Sequence, residues 1–262
     1  LQMAARGAAR FGGAIWNPLG RFIRPGQFGL LKPTLGKESH PRDPQGWVYT
    51  ITSGSVIRAV ADYVWKALEG RGRVMLADAP QTDSSYDAMV RLLELDAIRD
   101  CYRAHGLDLE LVDFRKEQWT NVDEVIIDRR PLAGDPDGYV ALHPAGRSGV
   151  AGHGGGGRYY GADYDDGEVN RHHTGGRHEY LLAGSSVCCD VFVNLPKLKT
   201  HKKAGITVNL KNLVGINGDK NWLPHHTVGT PADGGDQYPS PTLLRRIAHN
   251  AVQSLRGAAL RA

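Results

Sequence analysis

Val74-Met75-Leu76-Ala77-Asp78-Ala79-Pro80 is an apolar run that ends abruptly in a carboxylate and a proline. Four consecutive apolar residues bounded by turn-formers suit a strand covered on both faces, the kind that builds a parallel sheet. Working backwards, Ser53 can cap a helix with Val56, Ile57, Val60, Val64 and Leu68 on one face, and Gly70 and Gly72 stop it. Earlier still, Gln27 to Lys32 reads as a short strand closed by Pro33. Working forwards, Ser84 or Ser85 starts a second helix through Leu93, a third covers about Asp96 to His105, and Leu109 to Val112 gives the next strand. Strand, helix, strand, helix, strand is the order of parallel βαβ units. The expectation is an α/β fold with an open, mostly parallel sheet flanked by helices, a long Gly/His-rich loop and a C-terminal helix.

Further strands lie downstream. Val191 to Leu195 is the clearest of them, entered from Asp190 and ended by Pro196. Val122 to Ile127 and Tyr139 to Leu142 read as an antiparallel pair. Residues 143–179 are rich in Gly, His and Asp without periodicity and read as one long loop. Gly152, Gly154 and Gly157 formally match the spacing GxGxxG, but no strand precedes them and no helix follows, so a dinucleotide site is not supported. Ile206 to Leu213 suits a helix, and a last helix is expected from about Pro241 to Leu260. The organisation predicted is an irregular lead-in over 1–24, an α/β domain over 25–226, and a linker with a C-terminal helix over 227–262.

Composition sets limits. The 262 residues are 41% hydrophobic and 23% charged, ordinary for a globular protein, and the formal charge of +4 is too mild for a general nucleic-acid binder. No apolar run approaches the roughly 20 residues of a membrane helix. No signal-peptide core is visible and the first residue is not Met, so a cytoplasmic chain, and a candidate fragment, is the expectation. Cys101, Cys188 and Cys189 form neither a disulfide framework nor a CxxC spacing, so no iron–sulfur cluster is expected. Neither a nucleophile elbow, nor a Walker A lysine, nor HExxH is present.

Charge is concentrated in one window. Six of the ten lysines lie between Leu195 and His226: Lys197, Lys199, Lys202, Lys203, Lys211 and Lys220. The same window holds His201, His225 and His226 and one acid, Asp219. A solvated basic surface is the bland alternative. Three details argue against it. The window holds no arginine although the chain has 22; its lysines are interleaved with turn-forming Pro, Gly, Asn and Thr; and it follows directly on a buried-type strand. Open α/β sheets bind ligands at the carboxyl ends of their strands. Three such ends carry polar groups here: Lys32-Pro33-Thr34, Asp78-Ala79-Pro80 and Asn194-Leu195-Pro196-Lys197. Clustered ammonium groups repel one another until an anion relieves them, and a repelled lysine loses basicity. Lys197 and Lys199 share a side in extended chain, Thr200 adds a hydroxyl, and Asn209, Lys211 and Asn212 add polar groups nearby. Metal chemistry is less well supported. His172, His173 and His178 near Asp165, Asp166 and Glu168 are compatible with a zinc or hard-cation site, but a solvated loop is the stronger reading.

The stretch Asn194-Leu195-Pro196-Lys197-Leu198-Lys199-Thr200-His201 is a specific motif. With Gly205-Ile206-Thr207, Leu210-Lys211-Asn212-Leu213-Val214-Gly215 and Asn217 to His226, it resembles the DUF362 family, a group of bacterial and archaeal proteins of unknown function. Lys32-Pro33 and Asp78 match earlier family positions, so the resemblance covers about residues 25–226. Two departures stand out: Thr34 follows Lys-Pro where the family often has Asn, and the ferredoxin-type cysteines of some members are missing. Members also commonly continue into a further acidic α/β segment where a basic helix is expected here, so the resemblance implies that part of the pocket is either missing or supplied by a partner.

These readings converge on an enzyme for a small phosphate-, sulfate- or carboxylate-bearing substrate, with group transfer or elimination of an oxyanion leaving group. His201 would be the general acid or base, Lys199 and Asp78 its catalytic companions, and Lys32, Asn194, Lys197, Thr200, Asn209, Lys211, Asn212, Lys220, His225 and His226 the ligand-binding set. The alternative is a non-catalytic module or partner subunit holding a phosphorylated metabolite, a nucleotide or an acidic carrier protein. Neither nucleic acid nor membrane is expected as a partner. The sequence names no cofactor, and it leaves open a divalent metal, a protein partner and a homo-oligomer.

Overall fold

The computed structural model describes residues 16–39, 43–122, 125–144, 157–161, 165–201, 203–239, 247–248, 251–252 and 255. Along the chain run β1 (Phe28–Pro33), α1 (Gly54–Leu68), β2 (Arg73–Asp78), α2 (Tyr86–Leu92), α3 (Leu95–Arg103) and β3 (Leu109–Asp113). Then come β4 (Glu117–Val122), β5 (Val125–Pro131), β6 (Tyr139–Leu142), β7 (Tyr159–Tyr160), α4 (Asp166–His172), β8 (Tyr180–Ala183) and α5 (Gly184–Cys188). The chain goes on through β9 (Val191–Leu195), β10 (Lys199–His201), β11 (Gly205–Thr207), α6 (Asn209–Asn212) and β12 (His226–Thr227). It divides into two compact units: residues 1–81, 85–113 and 185–215 form the first, and residues 82–84, 114–184 and 216–262 form the second.

The first unit is the expected α/β fold. Its sheet has the order β3-β2-β1-β9, and every neighbouring pair is parallel. The helix read from Ser53 is α1, which buries Ile57, Val64 and Leu68. They meet Leu31 and Leu76 of the sheet, Met89 of α2, and Leu95 and Ile98 of α3 in one core. Burying a side chain of this size contributes about 1.5–3 kcal/mol, so the cluster is the main stabilising term of this unit. Two glycines permit the close packing. A Cβ at Gly29 would lie 3.2 Å from the Val64 side chain, and one at Gly72, where φ is +132°, would lie 2.4 Å from the Gln27 carbonyl oxygen.

Two element assignments differ from expectation. Val122 to Ile127 is not one strand: Val122 ends β4 and pairs with Val125, the first residue of β5. A register shift between Thr120 and Asn121 breaks the alternation that would have revealed the longer hairpin, which is anchored by buried Trp119 with the Arg129 guanidinium 5.0 Å from its ring centre. Tyr139 to Leu142 pairs instead with β8. Ile206 to Leu213 is not one helix either. Gly205-Ile206-Thr207 returns antiparallel along Lys199-Thr200-His201, and the helical turn begins only at Asn209. Adjacent β-branched residues at 206–208 prefer extended chain, and Gly205 supplies φ +71° at the reversal.

The second unit consists of two-stranded pieces, β4-β5, β6-β8 and β7-β12. The stretch read as one long loop contains β7 and α4 among its described residues. Asp165 caps α4, its Oδ1 accepting from the backbone amides of Gly167 and Glu168 at 2.8 and 3.2 Å. The expected C-terminal helix lies largely outside the described residues, as does most of the glycine run at 152–157. Among the described residues, no helix is long and apolar enough to cross a membrane.

The two serine caps make a contrast that unfolding can test. The Ser85 hydroxyl accepts from the Ala88 amide at 3.1 Å, whereas Ser53 makes no side-chain bond to its helix. Ser85→Ala is expected to cost about 1 kcal/mol in urea unfolding, and Ser53→Ala no more than a few tenths.

Candidate functional site

The carboxyl ends of β2, β1 and β9 lie side by side in the first unit, and a polar knot joins them. Lys32 is in register with Asn194 across the β1–β9 pair. Its ammonium lies 2.5 Å from Asp78 Oδ1 and donates to Asn212 Oδ1 at 2.9 Å and to the Pro33 carbonyl at 2.7 Å. A lysine has three N–H donors, so each of them has an acceptor. Asp78 is equally engaged, because its Oδ2 accepts from the Leu35 amide at 2.7 Å. Both side chains are buried, with 1% and 3% of their residue surface exposed. Burial lowers the Lys32 pKa, and the Asp78 carboxylate pulls it back up.

Asn212 ties the knot together. Its Oδ1 accepts from Lys32 and from the Thr34 hydroxyl at 2.7 Å, and its Nδ2 donates to the Lys32 carbonyl at 2.9 Å and to Asn194 Oδ1 at 2.6 Å. Asn194 in turn donates to the Asn209 carbonyl at 3.1 Å. The Thr34 hydroxyl also accepts the Lys197 amide at 3.0 Å, which fixes the chain as it leaves β9. Gly215 closes the other side: its carbonyl accepts from the Ala79 amide at 2.7 Å. A Cβ there would lie 1.8 Å from Asp78 Oδ1 and 2.5 Å from the Lys32 ammonium, so no larger residue fits.

Above this knot stands the β10–β11 hairpin. Lys199 and His201 alternate with Thr200, which pairs with Ile206 and is exposed with it. The half-buried Lys199 ammonium donates to the Thr50 carbonyl at 3.2 Å. Its pKa is lowered, first by burial, then by the positive charge of Lys211 and also of Lys32, with Asp78 acting the other way. Three ammonium groups therefore act on one another here against a single nearby carboxylate. His201 is held differently: its Nδ1 accepts the backbone amides of Lys203 and Ala204, both at 3.2 Å. The ring thus braces the hairpin turn, and only Nε2 is left to face outward.

The sequence-predicted residues divide between the units. Lys32, Asp78, Asn194, Lys197, Lys199, Thr200, His201, Asn209, Lys211 and Asn212 all belong to the first. Lys220, His225 and His226 belong to the second, where the buried Lys220 ammonium donates to the Asn217 carbonyl at 3.0 Å. Lys202 lies outside the described residues. Sequence reading missed Thr52, whose hydroxyl takes the Thr34 amide and donates to the Leu195 carbonyl. It also missed Gly215, although the Leu-Val-Gly ending of its motif carried the signal.

The histidines that the sequence offers as metal ligands are engaged elsewhere. His172 lies between Glu179 and Glu168, at 2.9 and 3.0 Å, and stacks on Trp222. His173 donates from Nε2 to the Trp222 carbonyl at 2.8 Å. Among the described residues, no group of three or more His, Cys, Asp or Glu is gathered to hold a metal ion.

Comparison with known proteins agrees with the motif. Residues 150–255 match the family described as Domain of unknown function (DUF362). Over that segment, less than half of the chain, the sequence is similar to DUF362. The match takes in β9 to β11, Lys197, Lys199, Asn212 and Gly215, and extends beyond His226, whereas Lys32 and Asp78 lie before it. The matched segment thus contributes Asn212 and Gly215 to a knot whose ion pair comes from the preceding residues. No curated protein and no solved structure matches.

Asp78→Asn keeps the shape of the knot but leaves the Lys32 ammonium buried without its counter-charge. The loss expected in urea unfolding at neutral pH is about 3–5 kcal/mol. The unpaired lysine then has a folded-state pKa still further below its unfolded value, so the unfolded chain binds more protons between the two. Stability should therefore recover in part as pH rises through that window, which repeating the unfolding at alkaline pH checks.

Proposed function

We propose that the first unit holds a small phosphate-, sulfate- or carboxylate-bearing molecule at Lys199, with Lys197 and Lys211 beside it, and that the chemistry it suits is transfer or elimination of an oxyanion leaving group. The observation that carries this reading is the half-buried Lys199 ammonium, which is both desolvated and repelled by Lys211 and Lys32. An anion would relieve that repulsion and restore what burial removed. Lys32 has all three donors engaged, so its part is a fixed charge behind the site and not a direct ligand contact. Asp78 orients Lys32. His201 can act only through Nε2. That leaves Lys199, whose lowered pKa eases release of its proton, as the best placed donor to a departing oxygen. The setting read for this activity is the cytoplasm.

A second reading, a non-catalytic module for an anionic metabolite or carrier, is favoured by the same engagement of Asp78 and His201. The two part on one experiment. If the site is catalytic, a Lys199→Arg variant keeps affinity for the anion but loses turnover, since guanidinium holds charge and does not give up its proton. A module shows no turnover in either form.

Binding can be tested before any substrate is known. Calorimetry with inorganic phosphate should show Lys199→Ala weakening affinity roughly tenfold or more, the worth of one charge-assisted contact, with the fold intact. Affinity should also decline as pH rises, beginning below the usual lysine value of 10.5, because the ammonium of Lys199 is lost early. Unchanged affinity in Lys199→Ala would remove the site.

A further inference from the structure

The β10–β11 hairpin has two unlike faces. Side chains alternate along a strand, so Lys199 and His201 share one face with Thr207, which is buried. Thr200 and Ile206 pair on the other face, and Leu198 and Val208 flank them at the open end of the hairpin. That outer face is apolar and in water: Leu198 is 65% exposed and Ile206 64%, with Val208 exposed beside them. The chain then turns into α6, which packs on β9 and β11, and Leu210 at 86% is the most exposed of the large apolar residues. Leu213 and Val214 follow, also exposed. One exposed leucine is ordinary, but six large apolar side chains exposed along one short stretch of chain mark an interaction surface.

Charge on this stretch has one sign. Between Asp190 and Asp219 the sequence has five lysines and no acidic residue, and Lys203 and Lys211 are exposed beside the apolar side chains. A second copy of the chain would set lysines against lysines across the contact, which is unfavourable. A lipid surface is entered by large apolar side chains. The reversal of this hairpin, Lys202-Lys203-Ala204, offers none. The apolar residues lie along its side instead. A two-stranded ribbon with one apolar face is completed by a further layer, and a helix is a common one.

We propose that this outer face docks an acidic amphipathic helix of a partner protein, with the helix's apolar stripe on Leu198, Ile206 and Leu210 and its carboxylates towards Lys203 and Lys211. The docking face is the reverse of the one that carries Lys199, so the proposal does not rest on the anion site.

The probe is a labelled synthetic helix of about 20 residues, long enough to be helical alone, with a leucine stripe flanked by glutamates. A second helix has the same stripe flanked by lysines. Fluorescence anisotropy with the whole chain should show the glutamate helix binding and the lysine helix not. Ile206→Thr combined with Leu210→Ser should weaken the glutamate helix about tenfold or more, since both residues would sit at the centre of the contact. Lys203→Glu should weaken it about three- to tenfold and flatten its salt dependence. The replaced side chains are exposed, so the urea midpoints of these variants should stay at that of the unaltered chain. Should a variant fail to fold, the two helices on the unaltered chain decide alone. Equal binding of both helices, no binding of the glutamate helix, or full affinity in the double variant would overturn the proposal. So would sedimentation showing self-association that the double variant abolishes, because a second copy would then cover the face. Flotation with phosphatidylserine–phosphatidylcholine vesicles that the double variant abolishes would assign the face to a membrane and overturn it equally.

Discussion

Lys32 and Asp78 meet where β1 and β2 end, and almost everything distinctive about the first unit follows from keeping that pair out of water. Desolvating two charges is expensive, and their attraction offsets the cost only when the remaining donors and acceptors are also satisfied. The knot meets that condition, with Asn212 and the Pro33 carbonyl completing the lysine and the Leu35 amide completing the carboxylate. Gly215 follows from the same constraint, because the backbone must pass within contact distance of both charged groups. A pair of well-packed apolar residues would stabilise such a position as well or better. What it could not supply is a fixed charge felt by Lys199, and Lys32 and Asp78 both act on that ammonium.

How much of this was legible depends on whether a residue's role is local. The βαβ order was legible because apolar runs, caps and glycine stops are written in neighbouring residues. Ser85, Gly72 and the Val74–Ala77 run each act within a few positions. The crowding of lysines just after an apolar strand was also legible in composition, and in the fold the Lys199 ammonium feels the charges of Lys211 and Lys32. Their division of labour was not. Nothing in Lys32-Pro33-Thr34 says that its ammonium will be enclosed by a residue 180 positions later, a separation set by Asn212 reaching back to β1. Likewise His201 looks like a proton carrier in isolation, and its use as a brace depends on a hairpin that β-branched Ile206 and Thr207 impose. The bulge at Thr120 and Asn121 hid a hairpin for a related reason, because it breaks the period on which strand reading relies.

Histidine roles turned on second partners in the same way. His172, His173 and His178 look alike in sequence, in a polar stretch near acids. In the fold, one is held by two glutamates, one is pinned to a backbone carbonyl, and one keeps a buried ring nitrogen without a hydrogen-bond partner. His173 is oriented by the Trp222 carbonyl, 49 residues away, and meets His178 through its other nitrogen. Residue type set the menu of behaviours, and hydrogen-bond topology chose among them.

In the first unit, Lys199, Lys211 and Lys32 act on one another against one carboxylate already committed to Lys32, which is the observation on which the proposed anion site rests. In the second unit, His178 Nδ1 lies 3.2 Å from His173 Nδ1, and His178 Nε2 is buried without a hydrogen-bond partner. In each unit the central polar groups are held from more than one side, which fixes their orientation. Asn212 uses both its oxygen and its nitrogen in the knot, and His173 uses both ring nitrogens, one on the Trp222 carbonyl and one on His178.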